Sequence, residues 1–147
     1  MNRRSVLQLG GLALAGSVAG CSALSSDSPD TVRVSEVEVR NRVGSPVDVS
    51  LLLVDDGELA YWRTKSVPIS PDPAATFDDL PDAAGEYTLH AQVPTVDGGS
   101  RVTADLVEDA GGRSCITVSM EVAGTTSTDG DPPSVVYGAI GECSDSN

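Results

Sequence analysis

Val47-Asp48-Val49-Ser50-Leu51-Leu52-Leu53-Val54-Asp55-Asp56-Gly57 decides how this chain folds. Val47, Val49, Leu51 and Leu53 recur at every second residue, with Asp48 and Ser50 between them. That is the period of a strand with one buried face. Leu52 and Val54 break the alternation, so the end of this strand is expected to be covered on both faces. Asp55-Asp56-Gly57 then reads as a tight hairpin turn into a second strand, Glu58 to Val67. In that strand Arg63 and Lys65 share one parity and Ala60, Trp62 and Thr64 the other, so Trp62 is expected to point inward.

The same grammar extends in both directions. Upstream, Val32 to Arg40 alternates with a slip: Val32 and Val34 are even, Val37 and Val39 odd. A change of parity within one row of valines requires a bulge or kink near Ser35-Glu36. Downstream, Pro68, Pro71 and Pro73 mark an edge strand or a loop, because proline cannot donate to a central ladder. Tyr87, Leu89, Ala91 and Val93 are expected to face inward, as are Val102, Ala104 and Leu106 on the following strand. Ile116, Val118, Met120 and Val122 form another apolar face. No stretch of helical period follows the N-terminal segment. Seven or eight short strands separated by turn signals predict an all-β fold, a single antiparallel β-sandwich.

Three cysteines are present, Cys21, Cys115 and Cys143. The last two strands, Ser114 to Val122 and Ser134 to Cys143, flank a polar turn rich in Ser, Thr, Asp, Gly and Pro. A hairpin centred on Asp129 sets Val122 opposite Val136, Met120 opposite Gly138 and Val118 opposite Ile140. The same register sets Cys115 opposite Cys143, within disulfide reach. A two-cysteine metal site is the rival reading, but neither a histidine nor a third thiol accompanies the pair.

Charge narrows the choice of partners. The whole chain carries a net charge of −13, and Lys65 is its single lysine. All 22 acidic residues follow Cys21, whereas two of the nine basic residues precede it. Beyond Cys21, seven cations face 22 carboxylates, a balance near −15. Such a chain repels nucleic acid and anionic membrane surfaces. Its acidic, lysine-poor composition resembles that of proteins from halophilic archaea, whose surfaces stay soluble where molar salt shortens the Debye length to about 3 Å.

The N-terminal segment carries an address. Arg3-Arg4-Ser5-Val6-Leu7 opens it, an uncharged, glycine-containing stretch follows, and Val18-Ala19-Gly20-Cys21 closes it. The paired arginine resembles a twin-arginine export signal, and the small residues ending in cysteine resemble a lipobox. The run from Val6 to Gly20 suits a secretory core and falls short of the roughly 20 apolar residues of a bilayer span. The expected organisation is a signal over residues 1–21 with Cys21 as the lipidated first mature residue, a tether over 22–30, and one domain over 31–147.

The stretch Asp79-Leu80-Pro81-Asp82-Ala83-Ala84-Gly85-Glu86-Tyr87-Thr88-Leu89 resembles the loop entering a late strand of immunoglobulin-like and fibronectin-like domains. That resemblance implies a tyrosine corner at Tyr87, its hydroxyl bonding back to upstream backbone. It also implies a buried Trp62. Leu89 stands where the second intersheet cysteine of antibody domains falls. Fold likeness of this kind implies no particular activity.

Groups able to support catalysis are few. His90 is the only histidine and lies on the polar face of its strand. A blue-copper site needs two histidines with a cysteine, and a histidine triad needs a buried partner. No phosphate loop, nucleophile elbow or zinc spacing occurs. Acidic turns supply the remaining candidates: Asp55, Asp56 and Glu58; Asp78, Asp79 and Asp82, the best of them for calcium; and Asp129 with Asp131. Turn geometry and solubility account for such residues without a metal. Tyr61 and Tyr137 are either contact residues or fillers of edge and core. The expectation is a non-catalytic, lipid-anchored protein on the extracytoplasmic face of the cell membrane, without cofactor and with an unknown protein partner. The alternative is a membrane-tethered ligand- or metal-binding accessory module of a transporter or enzyme complex.

Overall fold

A computed structural model describes residues 29–94, 99–124 and 133–143. The signal, Arg3, Arg4, Cys21, most of the tether, Asp129 and Asp131 lie outside the described residues. Eight strands and one short helix follow in order: β1 (Arg33–Asn41), β2 (Val47–Asp55), β3 (Glu58–Val67), β4 (Ser70–Phe77), β5 (Tyr87–Val93), β6 (Ser100–Asp105), α1 (Leu106–Ala110), β7 (Cys115–Ala123) and β8 (Ser134–Glu142). They build two four-stranded sheets, β4-β1-β7-β8 and β3-β2-β5-β6, packed face to face as a sandwich.

The apolar rows read from the sequence line the space between the sheets. Val47, Val49, Leu51, Leu53, Tyr87, Leu89, Ala91, Val93, Ile116, Val118, Met120 and Val122 are all buried there. Full burial of each large aliphatic side chain stabilises by roughly 1.5–3 kcal/mol. Leu106 is buried as expected, but as the first residue of α1 and not in a strand. That single helical turn forms because the Asp105 carboxylate caps it, accepting from the backbone N–H of Val107 and Glu108 at 3.0 and 3.1 Å. The proline-containing β4 stands at a sheet edge.

One pairing departs from the antiparallel expectation. β1 and β7 run parallel, side by side in the middle of their sheet, while the other strand pairings are antiparallel. Parallel neighbours need a long crossover, and everything from β2 to α1 supplies it. The register of this pair slips between Val34 and Glu36, so Ser35 is the extra residue. That is the bulge required by the change of parity, and it leaves Val32, Val34, Val37 and Val39 all buried. At the end of β1 the buried Asn41 amide donates to Ser45 O and Val67 O at 3.0 and 2.9 Å, and its carbonyl accepts from Val43 N–H at 2.8 Å. It satisfies backbone groups at the bend into β2 and at the end of β3.

A second bulge reverses the expected face of β3. Asp56 and Gly57 take positive φ of 44° and 84°, a two-residue turn that pairs Asp55 with Glu58 and Val54 with Leu59. Continued without interruption, that register would set Trp62 opposite the inward Leu51. Instead the register shifts by one residue at Ala60, so Leu53 meets Tyr61, Leu51 meets Arg63 and Leu52 meets Trp62. Directly opposed residues share a face. Tyr61 is therefore buried and Trp62 is 66% exposed on the outer face, which overturns the expectation of a buried tryptophan.

The β7–β8 hairpin joins its ends as expected. Val118 meets Ile140, and Cys115 is bonded to Cys143 with a Cα–Cα distance of 5.5 Å. Towards the turn a third bulge moves the register by one, so Met120 meets Tyr137 and Val122 meets Val135, in place of Gly138 and Val136. Val135 is consequently buried and Val136 exposed.

Gly138 sits at that irregularity, where a Cβ would stand 2.5 Å from the Ser119 carbonyl oxygen. Gly138→Ala should therefore cost about 1–3 kcal/mol in denaturant unfolding. Gly44→Ala, with nothing within 4 Å of the added atom, should be close to neutral. Replacing Cys115 and Cys143 together by serine should cost about 3 kcal/mol, measured against the oxidised protein by the same method.

Candidate functional site

Three places on the sandwich gather polar or exposed groups of interest. The first joins β3 to the loop after β4. Because the Ala60 bulge turns Tyr61, Arg63 and Lys65 to the inner side of an edge strand, they reach over the end of β4. The Tyr61 hydroxyl donates to Asp79 Oδ1 at 2.7 Å, and the Arg63 guanidinium pairs with Asp79 Oδ2. Lys65 Nζ donates to Thr76 O at 2.6 Å, stands 3.8 Å from Asp78 Oδ1 and lies 5.1 Å above the centre of the Phe77 ring. Inward-pointing charges on an edge strand discourage another chain from adding to it.

This arrangement sets the ionisation of its members. The hydrogen bond from Tyr61, with the Arg63 charge beside it, holds the Asp79 carboxyl below its ordinary value. Burial, followed by the bond to Asp79, pushes the Tyr61 phenol up to about 12. The calcium candidates are thus brought to different ends. Asp79 serves a phenol and a guanidinium, Asp78 lies near an ammonium, and Asp82 is exposed. Among the described residues, no three His, Cys, Asp or Glu side chains are grouped to hold a metal ion.

The second place is the end of the sandwich where the chain enters it. A hollow of about 410 Å³ is lined by Asp30, Asp56, Gly57, Glu86, Thr88, Asp105 and Val107. Asp55, beside it, accepts from Glu86 N–H at 2.8 Å, and Val32 and Gly85 exchange backbone hydrogen bonds of 3.0 and 3.1 Å. The Tyr87 hydroxyl bonds back to Ala83 O at 3.0 Å, which is the tyrosine-corner contact expected of this loop. Its phenol is raised by burial. Two carboxylates at this end therefore have structural duties: Asp55 holds the loop and Asp105 caps α1.

The third place was not legible as a site, because the sequence pattern put Trp62 inside. Beyond the exposed pair Ser66 and Asp48, the outer face of β3-β2-β5-β6 carries three rows of opposed residues: Thr64, Ser50, Gln92, Arg101; Trp62, Leu52, His90, Thr103; and Leu59, Val54, Thr88, Asp105. Leu59 is 60% exposed, and Leu52 and Val54 are half-buried rather than covered. A hollow of about 290 Å³ is lined by Leu52, Val54, His90, Gln92 and Arg101. Leu59 and Val54, and Trp62 and Leu52, are opposed pairs, so these apolar side chains form one contiguous group rather than lone exposed residues. His90 lies on this polar-facing side as expected, with its Nδ1 3.0 Å from Thr103 Oγ1. Tyr137 is half-buried at the opposite sheet, where burial raises its phenol.

No helix among the described residues is long and apolar enough to cross a membrane. No family model, curated protein or solved structure matches the chain.

Asp79→Asn should remove a pH-dependent part of the stability. A carboxyl whose pKa is lowered by folding contributes above the unfolded carboxylate range, and that contribution is lost as pH falls through the lowered value. The difference in Tm between the protein and the variant should be largest near neutrality and shrink on acidification, as read by thermal unfolding across pH.

Proposed function

We propose that this chain is a lipid-anchored surface protein on the extracytoplasmic face of the cell membrane, presenting a small non-catalytic sandwich for interaction or as a structural element of the envelope. The bond between Cys115 and Cys143 carries the reading, because it leaves Cys21, at the end of Val18-Ala19-Gly20-Cys21, as the one cysteine outside the pair. A disulfide belongs to an oxidising exterior. Arg3-Arg4 ahead of the uncharged stretch supports export by a route that resembles the twin-arginine pathway.

The domain's properties agree with that address. Its carboxylate-rich, lysine-poor composition suits a saline exterior, where charge repulsion is screened. Asp30 lies at the end of the sandwich that carries the Asp56-Gly57 turn and the start of α1. With a lipid on Cys21, the tether over 22–30 holds that end within about 30 Å of the membrane even when fully extended. The opposite end and both outer sheet faces are then free to meet other envelope components.

Cys21→Ala should move the protein from the membrane fraction to the soluble fraction on cell fractionation, with its disulfide intact. Continued membrane attachment of that variant would overturn the lipid anchor. Replacing Arg3 and Arg4 together by lysine should leave the precursor inside the cell, read by protease protection of intact cells.

A further inference from the structure

We infer that the outer face of β3-β2-β5-β6 is a self-association surface, on which Trp62 of one copy seats in the hollow of a second copy formed by Leu52, Val54, His90, Gln92 and Arg101. The charge distribution is the first argument. The other outer face, of β4-β1-β7-β8, presents Glu36, Glu38 and Glu121 among its arginines. On the face in question, the row of Thr64, Ser50, Gln92 and Arg101 and the row of Trp62, Leu52, His90 and Thr103 contain no carboxylate; Asp105 stands at the corner of the third row and Asp48, opposite Ser66, at the margin beyond the first. In a chain of net charge −13, this clearing lets two copies approach without setting carboxylate against carboxylate. Depletion of charge around apolar side chains, with tryptophan and arginine present, is the composition of an interface centre.

Self-complementarity is the second argument. A face that binds its own copy must carry both the projection and the recess. Trp62 projects from β3, at one side of the face, and the hollow lies across β2, β5 and β6 towards the other. A two-fold axis running along the strands between two such faces exchanges the β3 and β6 sides, so each indole meets the other copy's hollow. At about 290 Å³ the hollow has room for an indole, and its floor of Leu52 and Val54 is apolar. The wall offers a matching cation. Arg101 donates to Gln92 Oε1 at 3.4 Å, and the ion pairs among the described residues are Arg42–Glu121, Arg63–Asp79 and Lys65–Asp78. With no carboxylate partner among the described residues, the Arg101 guanidinium is placed to stack on the incoming ring.

Size sets the strength. Four strands span about 19 Å and the three rows with their margins about 20 Å along the strands, roughly 400 Å² in plan. Over both copies that is about 800 Å², below the roughly 1,200–2,000 Å² of stable complexes, so the dimer is weak and reversible. Its salt dependence has a definite sign. The attraction is apolar and local, while the repulsion between two acidic copies is long-range and screened by salt, so association strengthens as salt rises.

Trp62 is the chain's only tryptophan, so its fluorescence reports on this surface directly. The full chain, purified in mild detergent, is followed by sedimentation velocity and by indole emission and acrylamide quenching across micromolar concentrations, in dilute and in molar potassium chloride. The expected result is a monomer–dimer equilibrium, stronger in molar salt, in which Trp62 emission shifts to shorter wavelength and its quenching falls as dimer forms. Trp62→Ser should weaken association by about thirtyfold or more. Gln92→Glu places a carboxylate in the hollow but keeps the reporter, so Trp62 should stay quenchable at every concentration. A monomer under all conditions overturns the proposal. So does a dimer in which Trp62 remains fully quenchable, which locates the contact elsewhere, and so does an indole shielded at every dilution.

Discussion

Val32 and the strand β1 that follows it must present Val32, Val34, Val37 and Val39 to one core while bonding to two different neighbours, and the extra residue Ser35 is what allows it. A straight strand turns alternate residues to opposite faces, so without the bulge either the first or the second pair of valines would face water. With it, β1 runs as a central strand, parallel to β7 on one side and antiparallel to β4 on the other. The first strand is thereby locked beside the seventh, and every intervening element forms the crossover. Val32 also reaches the loop before β5 through its bonds to Gly85, and Asn41 ties the far end to the close of β3. Both ends of β1 are thus bonded to segments that lead into the other sheet.

The edge strand β3 shows how one inserted residue changes both solubility and surface. The shift at Ala60 brings Tyr61 into the core and turns Arg63 and Lys65 onto the inner side, where Asp79, Thr76 and the Phe77 ring receive them. The inner side of this edge is therefore closed by charge, and the same twist of register leaves Trp62 and Leu59 outside. A protein that surrounds itself with carboxylates has kept them off the row that holds that tryptophan and off the Thr64 row beside it, which is what gives the outer face its distinct character.

Bulges separate what could be read in advance from what could not. The one in β1 was legible because the residues on either side of it are all valines, and a change of parity in a uniform row has a single explanation. Those in β3 and β8 were not. In β3 the inner positions include Arg63 and Lys65, so charge and burial gave opposite signals. In β8, Val135 and Val136 are equally apolar, and either could face the core until β7 was aligned against them. The hairpin ends were different, because Cys115 and Cys143 admit few separations. Asp55-Asp56-Gly57 likewise declared its turn through residues that tolerate positive φ.

By itself the sequence determined the all-β class, the two-residue turn after β2, the inward rows of β1, β2, β5 and β7, the Tyr87 corner and the Cys115–Cys143 bond. These follow from local period and from residue types with narrow conformational or covalent options. Only the tertiary structure decided that β1 and β7 pair in parallel, that Asp79 gathers Tyr61 and Arg63, that Asp105 caps a helical turn, and that Trp62 stands outside. Each of those depends on the register between segments distant in sequence or on which edge is left open, and no periodicity within a single strand records either.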